Sequence, residues 1–168
     1  MKIKGAFIEV GTKAGKNANF IAALNPKETI YSFDSLNGLP LDWIREDRIF
    51  PAGMFGYKNS NQVPPVLKNV VLYRGSYAEM LSQLDDSPIA FLHVDCEIYE
   101  SARNVLNTLS KKIVPGTVIV FDEAYNYPSS EKHEWKAFLE FCNENDVSFQ
   151  PIAYNRLHEQ VAVIIQQK

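Results

Sequence analysis

Five short apolar runs divide most of the chain, at 6–11, 30–35, 69–75, 89–95 and 117–122. They are rich in β-branched and aromatic residues. Runs of this length and composition are typical of strands buried on both faces of a sheet. Apolar residues recur at helical spacing after four of these runs, including 76–84, where Ser76 is placed to cap a helix, and 99–113. This alternation predicts a mostly parallel sheet covered by helices on both faces.

Two further strands are predicted at 147–154 and 160–166, with only a few polar residues between them. So short a link forces an antiparallel pair, because a parallel return needs a crossover of about a dozen residues or more. The predicted fold is therefore a Rossmann-like α/β sheet of seven strands that ends in an antiparallel hairpin. We expect one domain over residues 1–168.

A long irregular segment is predicted at 36–65, since this stretch is rich in Gly, Pro and Asn. Loops of this length in compact domains are usually functional or partly mobile. Its aromatic residues are compatible with two interpretations: a lid over a small organic substrate, or a satellite hydrophobic cluster beneath the loop. These residues are Trp43, Phe50, Phe55 and Tyr57.

Composition excludes some classes of partner. The net charge of -3 gives no reason to expect a nucleic-acid partner. No apolar run approaches the roughly 20 residues of a membrane span, and no signal peptide opens the chain. Cys96 and Cys142 lack CxxC spacing, which favours reduced thiols in a cytoplasmic protein over a disulfide.

Carboxylates follow two of the buried strands. Asp95 ends the run 89–95, and Asp122 and Glu123 end the run 117–122. Ligands of open α/β sheets bind at these strand ends. Buried acids are costly unless they are paired or bound to a cation, and oxygen ligands favour Mg²⁺ or Ca²⁺ over zinc. The three acids are therefore a candidate metal site; alternatively they cap turns or pair with Lys and Arg.

Other polar residues lie near the same strand ends. Glu97 follows Asp95 by two positions, so strand alternation returns it to the same side as a further ligand or a general base; alternatively it is a solvated acid at a helix start. His93 lies inside the strand and is interpreted as a hydrogen-bonded core residue rather than a ligand. His133 and Glu134 open the last helix, where a solvated face is favoured over a position in the cleft.

The first strand ends in a turn suited to a cofactor. Glu9, Gly11, Thr12 and Gly15 lie at a strand-to-helix junction, where backbone N–H groups and a helix N-terminus attract an anionic group. Lys13 replaces the middle glycine of the dinucleotide fingerprint, so a tight turn without a ligand remains an alternative.

An acid also ends the second strand. Asp34, followed by Ser35, is placed to accept hydrogen bonds from two ribose hydroxyls. The alternative is a turn cap within 34–38.

Four motifs in order resemble those of class I S-adenosylmethionine-dependent methyltransferases, and most closely the macrocin/mycinamicin-type sugar O-methyltransferases. They are Phe7-Ile-Glu-Val-Gly11 with Gly15, Phe33-Asp-Ser-Leu-Asn-Gly-Leu-Pro40 with Trp43, His93-Val-Asp-Cys-Glu-Ile-Tyr-Glu-Ser101, and Pro115-Gly-Thr-Val-Ile-Val-Phe-Asp-Glu123. The resemblance runs from about Gly5 to the C-terminus. It implies that Gly11 and Gly15 hold the methionine end of the cofactor, that Asp34 holds the ribose and that Gly75 and Ser76 border the adenine. The predicted cofactor site also includes Glu9, Thr12, Ser35 and Asp95.

The resemblance further implies that Asp95, Asp122 and Glu123 bind Mg²⁺, which chelates neighbouring substrate hydroxyls. A nearby carboxylate would then remove the hydroxyl proton, and the alkoxide would attack the sulfonium methyl in line. We predict Asp95 and Glu97 as the catalytic residues. Glu97 and Glu123 stand where relatives often have aspartate.

Family members usually carry a helical segment before the first strand, which here begins almost at Met1. The resemblance therefore implies a more open site, a covering partner subunit, or a reduced or inactive version.

The sequence thus predicts a Mg²⁺-dependent O-methyltransferase that acts on a hydroxylated small molecule, such as a sugar or another natural-product moiety. It predicts no nucleic-acid or membrane partner and leaves a homo-oligomer open. One alternative is a non-catalytic methyltransferase-like binding module. The other is an NAD-dependent oxidoreductase, against which Lys13 and the paired acids at 122–123 speak.

Overall fold

A computed structural model describes residues 3–59 and 61–167. The strands in chain order are β1 (Ala6–Val10), β2 (Ile30–Asp34), β3 (Trp43–Ile44), β4 (Ile49–Phe50), β5 (Val70–Arg74), β6 (Ile89–Val94), β7 (Val118–Phe121), β8 (Val147–Tyr154) and β9 (Val161–Gln167). The α-helices are α1 (Lys16–Leu24), α2 (Tyr77–Leu81), α3 (Tyr99–Thr108) and α4 (Glu134–Glu144). Residues 1, 2, 60 and 168 of the predicted domain lie outside this description.

Seven strands form one sheet in the order β5-β2-β1-β6-β7-β9-β8. The first five strands in this order are parallel, whereas β9 runs antiparallel to both β7 and β8. The predicted mostly parallel sheet with a C-terminal antiparallel hairpin is therefore confirmed. Chain order reverses between β1 and β6, and open α/β sheets bind ligands at such a switch point.

Helices cover both faces of the sheet. Neighbouring residues of β1 point to opposite faces: Ile8 packs in the large core beside α2, α3 and α4, and Phe7 packs in a smaller cluster beside α1. α1 ends at Leu24, and Asn25 caps it directly before Pro26, as predicted. None of the helices in the described residues is both long and apolar enough to cross a membrane.

Two helices are shorter than predicted. α2 ends at Leu81, although Ser76 caps it as expected by accepting the N–H of Glu79. α3 ends at Thr108, and the chain continues in turns to Ile113, which is still buried. The spacing of apolar residues could not locate the C-terminal end of α3, because apolar residues beyond the helix are buried as well.

The segment 36–65 is not wholly irregular, because β3 and β4 pair in a short antiparallel hairpin. Trp43 stacks on Phe50 across this hairpin, with their ring centroids 4.7 Å apart. Trp43 also packs with Leu39, Ile98 and Tyr127, so a satellite hydrophobic cluster is present under the segment. Strands of two residues are too short for periodicity to reveal.

Gly11 allows the ends of β1 and β6 to come together. Its φ is +94°, and a Cβ at this position would lie 1.5 Å from the carbonyl oxygen of Asp95. The Asp95 N–H donates to the carbonyl of Val10 over 3.0 Å. A residue with a side chain at position 11 would therefore push the Asp95 strand end away.

We predict that Gly11→Ala destabilises the fold much more than Gly53→Ala. Gly53 has a similar φ of +80°, but a Cβ added there would meet no atom within 4 Å. Gly53→Ala should lower the free energy of unfolding by about 1 kcal/mol through backbone strain alone. Gly11→Ala should lower it by about 3 kcal/mol or more, since a steric clash adds to the strain. Urea denaturation measures both, and equal losses would contradict the close approach.

Candidate functional site

The C-terminal ends of the parallel strands open into one cleft of about 660 Å³. The predicted residues that line it are Gly11, Thr12, Asp34, Ser35, Gly75, Ser76, Asp95, Glu97, Asp122 and Glu123. Trp43 and Phe55 from the segment 36–65 line the same cleft. The fold therefore brings the candidate cofactor turn, the candidate metal acids and the aromatic segment to one place.

Two predicted cofactor residues lie behind the cleft rather than on its wall. Gly15, with φ +75°, caps α1 and packs against Pro64 and Val66. Glu9 is fully buried, and its Oε2 accepts the hydroxyl of Ser32. Glu9 lies within β1, so its side chain contacts Ser32 of β2 rather than the cleft.

Thr12 lines the cleft, but its hydroxyl is used internally. Its Oγ1 lies 2.5 Å from Oγ of Ser32, which in turn bonds Glu9. This buried chain of hydrogen bonds joins the cofactor turn to β2. The side chain of Thr12 therefore helps to hold the turn in place.

Asp34 both caps its turn and faces the cleft. Its Oδ2 accepts the N–H of Lys13 and its Oδ1 accepts the N–H of Leu36, each over 2.7 Å. Asp34 thus caps the turn that follows β2, as the alternative interpretation expected. Each carboxylate oxygen retains acceptor capacity, so the same side chain can also bind hydroxyls of a ligand.

Asp95 and Asp122 come together at the floor of the cleft, and His93 joins them. One ligand atom from each of the three residues lies within 4.8 Å of the others. Burial and the charge of Asp122 raise the pKa of Asp95 to about 6, although Asn17 donates to its Oδ2 over 2.9 Å. Two such carboxylates repel each other when both are ionised, and a bound cation would relieve that repulsion.

The sequence indicates a core position for His93, and the structure places this residue beside the acids. Its Nε2 lies 3.6 Å from Oδ1 of Asp122. Burial lowers the pKa of His93, but the adjacent carboxylate of Asp122 and the charges of Asp95 and Glu9 outweigh it and raise the pKa. In the other direction, His93 overcomes the effect of burial and lowers the pKa of Asp122. Strand alternation from Asp95 could have indicated this position.

Glu123 lies outside the three-residue cluster. Its side chain nevertheless lies close to Asp122, whose pKa it helps to lower, and it lines the same cleft. The pKa of Glu123 is raised well above its ordinary value by burial and by the charge of Glu134. Its Oε2 is buried and has no hydrogen-bond partner among the described residues. The structure thus groups Asp95 and Asp122 with His93, and Glu123 of the predicted metal set lines the same cleft.

Glu97 is not a freely solvated helix-start acid. It lines the cleft with a left-handed backbone, φ +60°, which breaks the strand alternation used to predict its side. Burial, Asp95 and Glu134 raise its pKa well above the ordinary value, while Lys13 opposes this. A carboxyl group with a raised pKa is a stronger proton acceptor when ionised.

The prediction that His133 and Glu134 form a solvated face is wrong. His133 is buried, and its Nε2 lies 3.1 Å from the carbonyl oxygen of Ile44. Glu134 is fully buried and accepts backbone N–H groups next to the acids. Polar residues at a helix start usually face water, so the sequence carried no signal for this arrangement.

Comparison with known proteins identifies the family. A family profile described as a methyltransferase domain matches residues 8–124. The chain belongs to the methyltransferase domain family. This assignment confirms the resemblance of the sequence motifs to S-adenosylmethionine-dependent methyltransferases and goes against the oxidoreductase alternative. No curated protein sequence matches the chain.

Solved structures show the same fold in other methyltransferases. The calicheamicin methyltransferase CalS11 is 21% identical with a TM-score of 0.70, over 96% of this chain and 72% of CalS11. The O-methyltransferase NovP is 20% identical with a TM-score of 0.67, over 99% of this chain and 73% of NovP. Human N-acetylserotonin methyltransferase, in complex with S-adenosylmethionine, is 11% identical with a TM-score of 0.58, over 97% of this chain and 47% of that protein. At these identities the likeness shows the fold alone.

We predict that Glu9→Gln stabilises the methyltransferase at high pH only. Burial raises the pKa of Glu9 from 4.5 to about 7, so the folded state keeps a proton that the unfolded state loses. The stabilisation from this proton is complete below pH 4.5 and is lost as the pH rises through 7. Glu9→Gln should therefore raise the free energy of unfolding by about 2 kcal/mol at pH 8 and leave it nearly unchanged at pH 4.5.

Urea denaturation at the two pH values measures this difference. Glu28→Gln, at an exposed position, is the matched control and should show no such dependence. The same change at both pH values for Glu9→Gln would contradict the buried, proton-binding environment.

Proposed function

We propose that the chain transfers the methyl group of S-adenosylmethionine to a hydroxyl of a small molecule, a sugar or another natural-product moiety, with the help of Mg²⁺. The observation that carries this proposal is the shared cleft: the cofactor-type turn at Gly11 and the acids Asp95 and Asp122 line the same 660 Å³ space. A volume of this size suits a small-molecule site.

The cofactor would lie across the ends of β1 and β2. The backbone at Gly11 and Thr12 would approach its methionine end, close to the start of α1. Asp34 and Ser35 would hold the ribose, and Gly75 and Ser76 would border the adenine. These six residues line the cleft, and Lys16 and Tyr77 line it beside them.

The residues present fit a divalent cation. Asp95 and Asp122 offer adjacent carboxylates, and burial together with repulsion from Asp122 raises the pKa of Asp95, which a cation would offset. These two residues would hold Mg²⁺, with His93 or the unpartnered Oε2 of Glu123 as a third contact. Oxygen ligands suit Mg²⁺ best, whereas the imidazole also admits Mn²⁺. The cation, when bound, lowers the pKa of a coordinated hydroxyl.

Glu97 is proposed as the base that removes the hydroxyl proton, with Asp95 orienting the acceptor. Glu97 lines the cleft two residues after Asp95, and its raised pKa strengthens it as a proton acceptor. The remaining contribution of the protein is alignment of the hydroxyl oxygen with the sulfonium methyl group. CalS11 is described as a TDP-rhamnose 3'-O-methyltransferase, which supports a sugar-like acceptor.

We also propose that residues 1–168 act as one methyltransferase domain and that 36–65 serves as its lid. Trp43 and Phe55 of this segment line the cleft and offer apolar faces to an acceptor ring. Arg45 anchors the hairpin, since its guanidinium bonds both carboxylate oxygens of Glu159 over 3.0 and 3.2 Å. Cys96 and Cys142 are buried and form no disulfide, which is in keeping with a cytoplasmic enzyme.

Calorimetric titration with S-adenosylmethionine tests the cofactor site. The wild-type chain should bind, and Asp34→Asn should weaken binding by about 1.5–3 kcal/mol, because a hydrogen bond to a charged group is weakened. Glu28→Gln, away from the cleft, should bind as the wild type does. Absence of binding by the wild-type chain would exclude the proposed reaction. Binding without transfer to any hydroxyl would favour the non-catalytic alternative.

Titration with Mg²⁺ or Mn²⁺ tests the acid cluster separately. Asp122→Asn should weaken cation binding by about tenfold or more and leave S-adenosylmethionine binding intact, since only one of two ligand carboxylates is lost. Wild-type cation affinity should fall as the pH is lowered through about 6, where Asp95 takes up a proton. Affinity that is unchanged by Asp122→Asn, or that does not vary between pH 5 and 8, would remove the metal from the proposal.

A further inference from the structure

Glu134 joins the ends of two strands through their backbone. It is the first residue of α4 and is fully buried. Its Oε1 accepts the N–H groups of Cys96 and Glu97, each over 2.9 Å, and its Oε2 accepts the N–H of Glu123 over 3.3 Å. One carboxylate from a helix thus binds the segments that follow both β6 and β7.

Packing alone does not account for an acid at this position. A buried carboxylate is costly, and burial raises the pKa of Glu134 to about 8. The other buried residues on this helix are Ala137, Phe138, Phe141 and Cys142, which all belong to the hydrophobic core. The three backbone bonds are what distinguish Glu134, and they end beside the acids of the cleft.

We infer that Glu134 is a positioning residue for the cation site and the base. By holding residues 95–97 against residues 122–123, it sets the separation of the Asp95 and Asp122 carboxylates. Its bond to the N–H of Glu97 also helps hold the left-handed backbone there, φ +60°, which directs that side chain into the cleft. The chemical part of this role rests on the proposed function, whereas the backbone clamp belongs to the chain without any ligand.

Glu140 on the same helix provides a matched contrast. Its Oε2 accepts the hydroxyl of Tyr99 over 2.6 Å, which joins α4 to α3. This bond stabilises helix packing but reaches none of the cleft acids. A variant at Glu140 therefore reports what loosening α4 does by itself.

The experiment compares Glu134→Ala and Glu134→Gln with Glu140→Gln in the full chain. Hydrogen exchange of the backbone amides is measured without metal, and Mn²⁺ and S-adenosylmethionine are titrated separately. Glu134→Ala should speed exchange at residues 96, 97 and 123 by about tenfold or more, because each amide loses its acceptor. It should weaken Mn²⁺ binding by about 10- to 100-fold, as loss of an outer-shell partner does, with S-adenosylmethionine affinity unchanged.

Glu134→Gln should give an intermediate result. Its amide oxygen can still accept from Cys96 and Glu97, but its NH₂ group would face the N–H of Glu123. Only the amide of Glu123 should then lose its protection. This variant carries the test if Glu134→Ala does not fold. Glu140→Gln should lower the melting temperature without changing exchange at these amides or Mn²⁺ affinity.

If Glu134→Ala exchanges its amides and binds Mn²⁺ as the wild type does, Glu134 is not a positioning residue. An equal loss of Mn²⁺ and S-adenosylmethionine binding would also contradict this role, because it indicates a general loss of structure. A wild-type chain that binds no Mn²⁺ would instead refute the metal part of the proposed function. Amide exchange would still decide the clamp in that case, so the two failures are distinguishable.

Discussion

Mutual repulsion among the carboxyl groups at the strand ends is the constraint on which the site depends. Asp95 and Asp122 lie in one cluster, and Glu97, Glu123 and Glu134 interact electrostatically with them. Burial removes much of the water that would otherwise screen these charges. A fold that keeps such a group in one place needs compensating hydrogen bonds, positive charges, bound protons or a cation.

The chain supplies several of these. Asn17 donates a hydrogen bond to Asp95, and His93 lies beside Asp122. The positive charge of Lys13 opposes the rise in the pKa of Asp95 and of Glu97. Three backbone N–H groups surround the carboxylate of Glu134. These partners still leave the pKa of Asp95, Glu97 and Glu123 raised. The remaining excess of negative charge would be neutralised by the positively charged sulfonium of the cofactor and by a divalent cation.

Hydrophobic pattern predicted the parallel strands, the final hairpin and the positions of Asp34, Asp95 and Asp122 at strand ends. These features follow from burial, which leaves a direct mark on residue order. Glu97 lines the same cleft as Asp95, but it does so through a left-handed backbone beyond the end of β6, which strand alternation does not describe. The role of Glu134 could not be predicted from the sequence, because its partners are backbone N–H groups distant in the chain. Those of Cys96 and Glu97 lie 38 and 37 residues earlier, and that of Glu123 lies 11 residues earlier. The hairpin of β3 and β4 and the end of α3 depend on tertiary contacts and left no periodic signal.

The central claim is that the cofactor pocket and the cation pocket are adjacent parts of one cleft. Paramagnetic broadening tests it most directly, with S-adenosylmethionine carrying a ¹³C-labelled S-methyl group and Mn²⁺ as the cation. When both are bound, the S-methyl resonance should broaden much more strongly than the resonances of the adenine ring, because the methyl group would lie within several ångströms of the acids. Simultaneous binding of both without broadening of the methyl resonance would contradict the account.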